Sequence, residues 1–512
     1  FAASTAPRLG VPALQTVETS ATPARSSDGT TVIGVQPDDL DNEPELARRL
    51  RTPKTLTYVA CEHWSGRGKP SAKYLGVLAE QVRRLHTTYG RGVEGGRTVG
   101  CIVNRVDTAV QLAARLRAAG LNVELRVGRM RPYDLDRLVE SKPGLFTTDG
   151  DPTTDVLVAT QTLEVGVDVD LAAMVTELAP GAALVQRAGR VNRLGRRDGT
   201  EVVVVGPPDE SAITDCPPYA AADLAAAYAW LARRAATTGD IAPVSLAEDP
   251  PPGERLPRTL LQRPELWDAW LWARTSDDLF DDPDLELWLR DDLSPEPAMA
   301  GVVVRHALPG DSSMALSLLQ AVPPVDFEVF PCTLGAAQAL LQRVYGSDDE
   351  HAWVIVERAG ELSVLSPTDR ARPGDVLIVD DSHVVCTADV VVEEPTEPAA
   401  AVPYDRLPGI RKVIIDGEML TEYAGLEPAE AQALFEEQGG EGQLHLSPGV
   451  DDQGALGWIV IRNPAWFRAA AENRQIWTRS DAPVRLDSHS RDVAERAEQL
   501  GRAVGLAVEV VE

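Results

Sequence analysis

Residues 155–179 read DVLVATQTLEVGVDVDLAAMVTELA. Two short runs rich in apolar and β-branched residues, DVLVAT (155–160) and MVTELA (174–179), enclose a polar stretch that contains a glycine. Runs of this length and composition are typical of buried β-strands. The stretch therefore predicts two strands of one sheet, joined by a polar connection.

The same pattern continues on both sides of this stretch. Strands and helices are predicted to alternate over about 150 residues, which is typical of a doubly wound parallel sheet. We therefore expect an α/β domain over residues 51–210. The further predicted strands are TLTYVA (55–60), TVGCIVN (98–104), NVELRV (122–127) and EVVVVG (201–206), and the predicted helices cover 71–88, 107–119, 133–141 and 182–189.

Length and composition predict a soluble protein of several domains. At 512 residues the chain is long enough for three or four units. Its 44% hydrophobic and 25% charged residues are those of a globular protein, and no apolar run is long enough to span a membrane. The five cysteines form no CxxC pair, which predicts neither a zinc site nor a disulfide framework. We expect a cytoplasmic protein with no membrane partner.

The charge is distributed unevenly along the chain. The net charge of −29 argues against binding to a polyanion, because nucleic-acid affinity depends on Lys and Arg. Residues 51–200, however, carry 22 Lys and Arg against 16 Asp and Glu. The predicted α/β domain is therefore the basic part of an acidic chain.

An arginine-rich segment follows the two opening strands. The sequence QRAGRVNRLGR (186–196) has arginines at 187, 190, 193 and 196, with two glycines between them. One interpretation is an exposed stripe held by surface ion pairs, which contributes little. The other is a site for a phosphate, because guanidinium groups bind phosphate oxygens bidentately.

Taken together, DVLVATQTLEVGVDVD (155–170) and the arginine-rich segment sixteen residues later resemble motifs V and VI of a superfamily 2 helicase. These motifs belong to its second RecA-like lobe. The resemblance implies that Arg190 and Arg193 are arginine fingers for the γ-phosphate of ATP, with Gln186 beside its attacking water. It also implies nucleotide contacts by Gly166, Asp168 and Arg187, the last with a structural or interlobe role, and a DNA contact by Thr160.

Three further segments fit this resemblance. Ser20, Ala21 and Thr22 in VETSATPAR (17–25) resemble motif III, which couples the nucleotide state to the grip on DNA. Asn104 and Arg105 in CIVNRVDTA (101–109) resemble motif IV and are candidate DNA-backbone contacts. Arg129 and Arg131 in GRMRPYDLDR (128–137) stand where a strand enters a helix, so a DNA phosphate could meet both side chains and helix N-terminal amides. A solvated basic turn is the alternative for this last segment.

Two motifs that a working ATPase needs are missing from the printed sequence. These are the phosphate-binding loop GxxxxGK[ST] and an acidic box for magnesium. GRGKPS (66–71) has Pro70 where the loop needs Ser or Thr, and DDEHAW (348–353) lies far downstream of motif VI. We therefore expect the chain to begin inside the first lobe, after its catalytic motifs.

The C-terminal segment VRLDSHSRDVAERAEQLGRAVGL (484–506) predicts a loop that enters an amphipathic helix. It resembles the opening helix of an HD-type nuclease, in which His489 matches the first ligand of a divalent transition metal that activates water. The alternative is a histidine at a helix N-terminus without a metal. The site would also need residues beyond Glu512.

A second lobe of this type, followed by an accessory region and an HD start, resembles the CRISPR-associated helicase-nucleases of type I interference. The order resembles the subtype with a C-terminal nuclease, I-U or I-G. The resemblance implies ATP and Mg²⁺ as cofactors, translocation on single-stranded DNA, and an RNA-guided CRISPR surveillance complex as partner. Another superfamily 2 DNA or RNA helicase, or a non-hydrolysing nucleic-acid-binding adaptor, remain alternatives.

Composition and the resemblance together predict the domain order. The expected boundaries are the end of a first RecA-like lobe and a linker at 1–50, the second RecA-like lobe at 51–210, a helical accessory region at 211–290, a β-rich module at 291–395, a linker and accessory region at 396–480, and the start of an HD nuclease at 481–512.

Overall fold

The computed structural model describes residues 35–403, except 36, 165, 254–266, 268–297, 307, 309, 322 and 348–350, together with 443–446 and 459–462. These residues form two compact units. The first takes the described residues of 1–128 and 139–297, and the second those of 129–138 and 298–512. Within the described residues, no helix has the length and hydropathy that a bilayer crossing requires.

The first unit alternates helices and strands as the sequence predicts. Its elements in chain order are α1 (Pro37–Asn42), α2 (Pro44–Arg51), β1 (Lys54–Ala60), α3 (Ala72–Tyr89), β2 (Val99–Ile102), α4 (Val106–Ala118), β3 (Val123–Arg126), α5 (Pro132–Ser141, whose residues up to Leu138 group with the second unit), β4 (Val156–Ala159), β5 (Met174–Glu177), α6 (Gly181–Ala188), β6 (Thr200–Gly206), α7 (Ala221–Thr237) and α8 (Pro243–Glu248).

Six parallel strands form the sheet of the first unit, in the order β1-β6-β5-β2-β4-β3. Every residue of β2, β4, β5 and β6 is buried. A sheet covered by helices on both faces requires such uniformly apolar strands, which explains runs such as Val202–Val205. The predicted α/β fold with a parallel sheet is confirmed.

Helix α3 shows how local sequence starts an element and packing stabilises it. The Ser71 hydroxyl accepts a hydrogen bond from the Tyr74 amide at 3.2 Å and so caps the helix N-terminus. Leu75, Leu78, Val82 and Leu85 recur at helical spacing and are buried. The helix therefore buries one apolar stripe, as its sequence pattern predicts.

The second unit mixes strands and helices. Its elements are β7 (Met299–Arg305), α9 (Ser312–Ala321), β8 (Phe330–Thr333), α10 (Leu334–Tyr345), β9 (Ile355–Arg358), β10 (Glu361–Val364), β11 (Val376–Asp380), β12 (Val384–Thr387), β13 (Val390–Val391), β14 (Glu397–Pro398), β15 (Gln443–Leu446) and β16 (Ile459–Arg462). Five of the strands form a sheet in the order β10-β9-β11-β7-β8, in which β7 and β11 are parallel.

Two pieces of sequence in this unit, AWVIVERAGELSVLS (352–366) and RPGDVLIVDDSHVV (372–385), are hairpin-like, and the two predictions have different outcomes. Strands β9 and β10 pair antiparallel, so the hairpin expected at 352–366 is confirmed. The second expectation, at 372–385, is wrong, because β11 and β12 lie in different sheets. Strand β11 is hydrogen-bonded to β7 on one side and β9 on the other, so it has no free edge for β12.

The start of the segment expected to be a linker, at 396–480, is part of a sheet. Glu397 and Pro398 form β14, which pairs with β12. Ala399 and Val402 are buried. The apolar residues of this Pro/Ala-rich stretch therefore belong to the core of the second unit.

Candidate functional site

Motifs V and VI lie at the carboxyl end of the parallel sheet in the first unit, where open α/β sheets bind their ligands. Strand β4 ends at Ala159 and runs into a 3₁₀ turn at Gln161–Leu163. We call residues 160–164 the β4 turn. Helix α6 follows β5 and ends at Ala188, so of the four predicted arginines only Arg187 is helical.

Arg187 is fully buried at 0% exposure. Its guanidinium lies 2.8 Å from the Glu164 carboxylate and donates to the Thr176 hydroxyl at 2.8 Å. It also donates to the Asn104 side-chain oxygen at 3.1 Å and to the Tyr219 hydroxyl at 3.2 Å. The prediction of a nucleotide contact by Arg187 is corrected, because a side chain in the interior cannot reach a nucleotide at the surface.

Arg190 holds the backbone of the β4 turn. Its Nε donates to the Leu163 carbonyl at 3.0 Å and its Nη2 to the Glu164 carbonyl at 2.5 Å. Burial lowers the pKa of Arg190, and the neighbouring Arg193 acts in the same direction. The second terminal nitrogen, Nη1, makes no hydrogen bond to any described residue, so Arg190 can anchor the turn and still offer a donor to a ligand.

Arg193 is the motif VI arginine that projects outward from a fixed backbone. Its amide donates to the buried Asp170 carboxylate at 2.7 Å. Its side chain is 39% exposed and its Nε lies 2.5 Å from the carboxylate of Asp168, which is 63% exposed. A surface ion pair of this kind is weak and exchangeable, because water competes for both charges. Arg193 can therefore leave Asp168 for a stronger anion.

Gln186 and Arg196 stand at the two ends of the motif. Gln186 is partly exposed on α6, and its side chain has no hydrogen-bond partner among the described residues. Arg196 is exposed and likewise forms no ion pair within the described part of the chain. The predicted catalytic pair Arg190 and Arg193 therefore differs from Arg196 in being tied to motif V.

The predicted motif V residues differ in their exposure to solvent. Gly166 and Asp168 are exposed, and Gly166 has φ +76°, a conformation that glycine adopts without strain. Thr160 is buried directly after the last residue of strand β4. The predicted DNA contact by the Thr160 side chain is corrected, whereas Gly166 and Asp168 remain accessible.

The two motif IV residues also differ. The Asn104 side chain is buried, where it donates to the Leu178 carbonyl at 2.8 Å and accepts from Arg187. Its polar atoms are thus used inside the protein, which corrects its assignment as a DNA contact. Arg105 is partly exposed and donates to the carbonyl oxygens of Ser65 and Gly68. It thereby fixes the loop that contains the glycine-lysine sequence excluded above as a phosphate-binding loop.

Arg129 and Arg131 belong to the second unit. Arg131 is buried, pairs with Asp134 at 2.8 Å, and lies 4.2 Å from the centre of the Phe330 ring. Its guanidinium also donates to the Ala400 carbonyl at 2.9 Å. The predicted DNA contact by Arg131 is corrected, because it is a core residue. Arg129 is partly exposed.

Four predicted site residues lie outside the described residues. They are the coupling residues Ser20, Ala21 and Thr22 and the metal ligand His489. In the part of the chain that the structure describes, no group of three or more His, Cys, Asp or Glu side chains is arranged to hold a metal ion. The five cysteines are all buried and free of disulfides.

Sequence reasoning missed a buried polar network beneath motifs V and VI. The fully buried Glu177 carboxylate accepts from the Tyr74 hydroxyl at 2.5 Å and from the Asn104 amide at 2.5 Å. Burial, reinforced by Glu177, raises the pKa of Tyr74 well above its usual value, so the hydroxyl remains a donor. A glutamate inside the apolar run MVTELA was the available signal, because a buried carboxylate needs partners. Tyr219 had no comparable signal.

Lys54 was also missed. It is buried and donates from Nζ to the Ala188 carbonyl at 2.8 Å, at the C-terminus of α6. Burial lowers the pKa of Lys54 to about 8, and Asp170 and Asp240 oppose this shift. A cation at this position stabilises the last carbonyl groups of the helix that carries Gln186 and Arg187.

The segment that carries motifs V and VI is similar in sequence to known proteins. Residues 95–196 match the family described as CRISPR-associated nuclease/helicase Cas3, C-terminal. A putative CRISPR-associated nuclease/helicase Cas3 of Myxococcus xanthus (strain DK1622) is 35% identical over 135 residues, which are 26% of this chain and 17% of that protein. The chain therefore matches about a sixth of this curated relative.

Solved structures with partial similarity include T. fusca Cas3-AMPPNP, with a TM-score of 0.36, 18% identity, and coverage of 66% of this chain and 41% of that one. The C-terminal domain of the DEAD-box protein Dbp5 has a TM-score of 0.24 and 22% identity, with coverage of 30% of this chain and 78% of that one. A CRISPR RNA-guided surveillance complex, pre-nicking, has a TM-score of 0.34 and 18% identity, with coverage of 68% of this chain and 43% of that one.

The matched segment 95–196 contains strands β2 to β5, the β4 turn and all four arginines of motif VI. Through this segment the chain is similar to the CRISPR-associated Cas3 helicases.

Proposed function

We propose that the first unit is the second helicase lobe of a Cas3-type enzyme and that it supplies arginines to ATP held on a first lobe. The observation that carries this proposal is the contrast within motif VI. Arg187 is buried and pairs with Glu164 inside the protein. Arg190 binds the backbone of the β4 turn and keeps one terminal nitrogen that can donate to a ligand. Arg193 is partly exposed, and its ion pair with Asp168 is exchangeable. This arrangement offers two guanidinium groups to one anion.

The chemistry follows from the charge that develops during phosphoryl transfer. ATP with Mg²⁺ supplies the reactive γ-phosphate, whose oxygens gain negative charge in the transition state. Arg193 leaves Asp168 to donate to these oxygens, and Arg190 donates from Nη1. Gln186, the partly exposed side chain on α6, orients the attacking water. Fingers of this kind accelerate hydrolysis by roughly 10³- to 10⁵-fold.

Coupling to single-stranded DNA is proposed to run through the β4 turn. Arg190 binds two carbonyl groups of this turn, and Arg187 binds the Glu164 carboxylate within it. A shift of the turn on DNA binding would therefore move the arginines that face the nucleotide. Arg105 and Arg129 stay as proposed phosphate contacts, because both are partly exposed.

The wider role proposed for the whole protein is ATP-driven translocation along foreign DNA with metal-dependent cleavage, after recruitment by an RNA-guided CRISPR surveillance complex. The family match over residues 95–196 supports this role. The nuclease part depends on His489 and stays a prediction.

The test is reconstitution of ATP hydrolysis. Phosphate release with single-stranded DNA is measured for this chain alone and for the chain assembled with a first helicase lobe that carries a GxxxxGK[ST] loop, in one polypeptide or as a separate protein. We expect turnover only in the assembly. Equal turnover by the chain alone would contradict the two-lobe mechanism, and DNA binding with no turnover in either sample would favour a non-hydrolysing adaptor.

A further inference from the structure

Asn192 has an unusual backbone conformation beside the predicted arginine finger. Its φ is +43°, and only three other non-glycine residues in the described part of the chain have a positive φ, all of them in the second unit. Side chains with a Cβ avoid this left-handed region, although asparagine tolerates it better than most residues. Asn192 is also fully buried.

The side-chain amide of Asn192 closes the loop that presents Arg193. Its Nδ2 donates to the Arg197 carbonyl at 2.9 Å, and its Oδ1 accepts from the Arg197 amide at 3.2 Å. The donor and the acceptor of the Asn192 side chain thus both bind the backbone of Arg197. The loop 192–197 is therefore closed by two hydrogen bonds, and Arg193 lies inside it.

The backbone of the same loop is hydrogen-bonded to the irregular segment that precedes β5. The Asn192 amide donates to the Leu171 carbonyl at 2.8 Å, and the Arg193 amide donates to Asp170 at 2.7 Å. Two successive amides are thus fixed to two successive residues. The main chain of Arg193 is held in place although its side chain is partly exposed.

We propose that Asn192 is a positioning residue for Arg193, a role that rests on the proposed function of Arg193 as a finger. The left-handed turn at Asn192 sets the direction in which the Arg193 side chain points away from the loop. The two hydrogen bonds from Asn192 to Arg197 hold the loop in this conformation. A guanidinium that is placed before the reaction stabilises developing charge without reorganisation. Misplacement by about 1 Å can reduce turnover by roughly 10²-fold.

The experiment measures DNA-stimulated kcat and KM for ATP in the two-lobe assembly. Asn192→Ala removes both bonds and strains the left-handed turn, and we expect kcat to fall by roughly 10²-fold with KM for ATP nearly unchanged. Asn192→Gly removes the bonds but permits the turn, and we expect a smaller loss. Asn122→Ala, which removes an exposed asparagine bonded to the Thr153 carbonyl, is the matched control and should retain wild-type kcat.

A double-mutant cycle separates positioning from general destabilisation. In an Arg193→Ala background, Asn192→Ala and Asn192→Gly should cause no further loss of kcat, because the group that Asn192 positions is absent. If the loss of kcat in the double variant equals the product of the two single losses, the positioning role of Asn192 is overturned, whereas the assignment of Arg193 as a finger stands. Wild-type turnover by Arg193→Ala alone would overturn both the finger and the role of Asn192.

Discussion

The guanidinium of Arg187 lies 2.8 Å from the carboxylate of Glu164, and the two side chains are 0% and 11% exposed. This ion pair joins helix α6 of motif VI to the β4 turn of motif V inside the protein. Arg190 binds the same turn through two backbone carbonyls. Motifs V and VI therefore form one connected structure, in which Arg193 is the exchangeable part.

The buried pair should contribute strongly to stability. Arg187→Met leaves Glu164 without its counter-charge, and we expect the free energy of unfolding of the first unit to fall by about 3–5 kcal/mol. Urea denaturation of the chain measures this change. Arg67→Met, which removes an exposed ion pair with Asp215, should cost less than about 1 kcal/mol. Equal losses from the two variants would show that the Arg187 network is not a structural strut.

The Tyr74 hydroxyl should be needed because its partner is buried. Tyr74→Phe leaves one oxygen of the Glu177 carboxylate without a donor, and we expect a loss of about 1–3 kcal/mol in the free energy of unfolding. Tyr228→Phe makes the same chemical change at an exposed hydroxyl that donates to the Pro208 carbonyl, so it serves as the control. A change in Tyr74→Phe no larger than in this control would argue against an important network under motif VI.

Lys54 predicts a specific dependence of stability on pH. Its pKa is about 8 in the folded protein and 10.5 in the unfolded chain, so between these values the unfolded state binds more protons. Stability from this residue therefore rises as pH increases from about 8 toward 10.5, by a total of about 3 kcal/mol.

Urea denaturation at several pH values between 7 and 10 tests this expectation. The wild-type protein should become more stable relative to Lys54→Met as pH rises, because methionine carries no titratable group. The comparison cancels contributions from the other residues that titrate in this range. Curves that stay parallel for the two proteins would mean that the ammonium of Lys54 is not held in a low-dielectric site.

The sheet of the first unit could be predicted from sequence because its strands are buried on both faces. Apolar runs such as 155–160 and 201–206 have no alternative location in a soluble protein. The failure at 372–385 has a different cause. Two consecutive strand-like runs resemble a hairpin, but whether they pair depends on which other strands occupy the edges of β11, and these lie up to about 75 residues away in the chain.

The arginines of motif VI show which properties of a site a sequence motif cannot predict. Their spacing of three residues is uniform, so sequence alone treats them as equivalent. Helix α6 ends at Ala188, however, and the chain then follows a loop in which each arginine meets a different environment. Burial of Arg187, Asn104 and Arg131 depends on partners that are distant in sequence, such as Tyr219 and Ala400.

The most direct test of the central claim compares Arg193→Ala with Arg196→Ala in the two-lobe assembly. Both variants remove a charge from motif VI, but among the described contacts only Arg193 is bonded to motif V, through its amide to Asp170 and its side chain to Asp168. We predict that Arg193→Ala lowers kcat for DNA-stimulated ATP hydrolysis by roughly 10³-fold or more. We predict that Arg196→Ala retains nearly full turnover and that both variants still bind DNA. Equal turnover by the two variants would contradict the assignment of Arg193 as the finger.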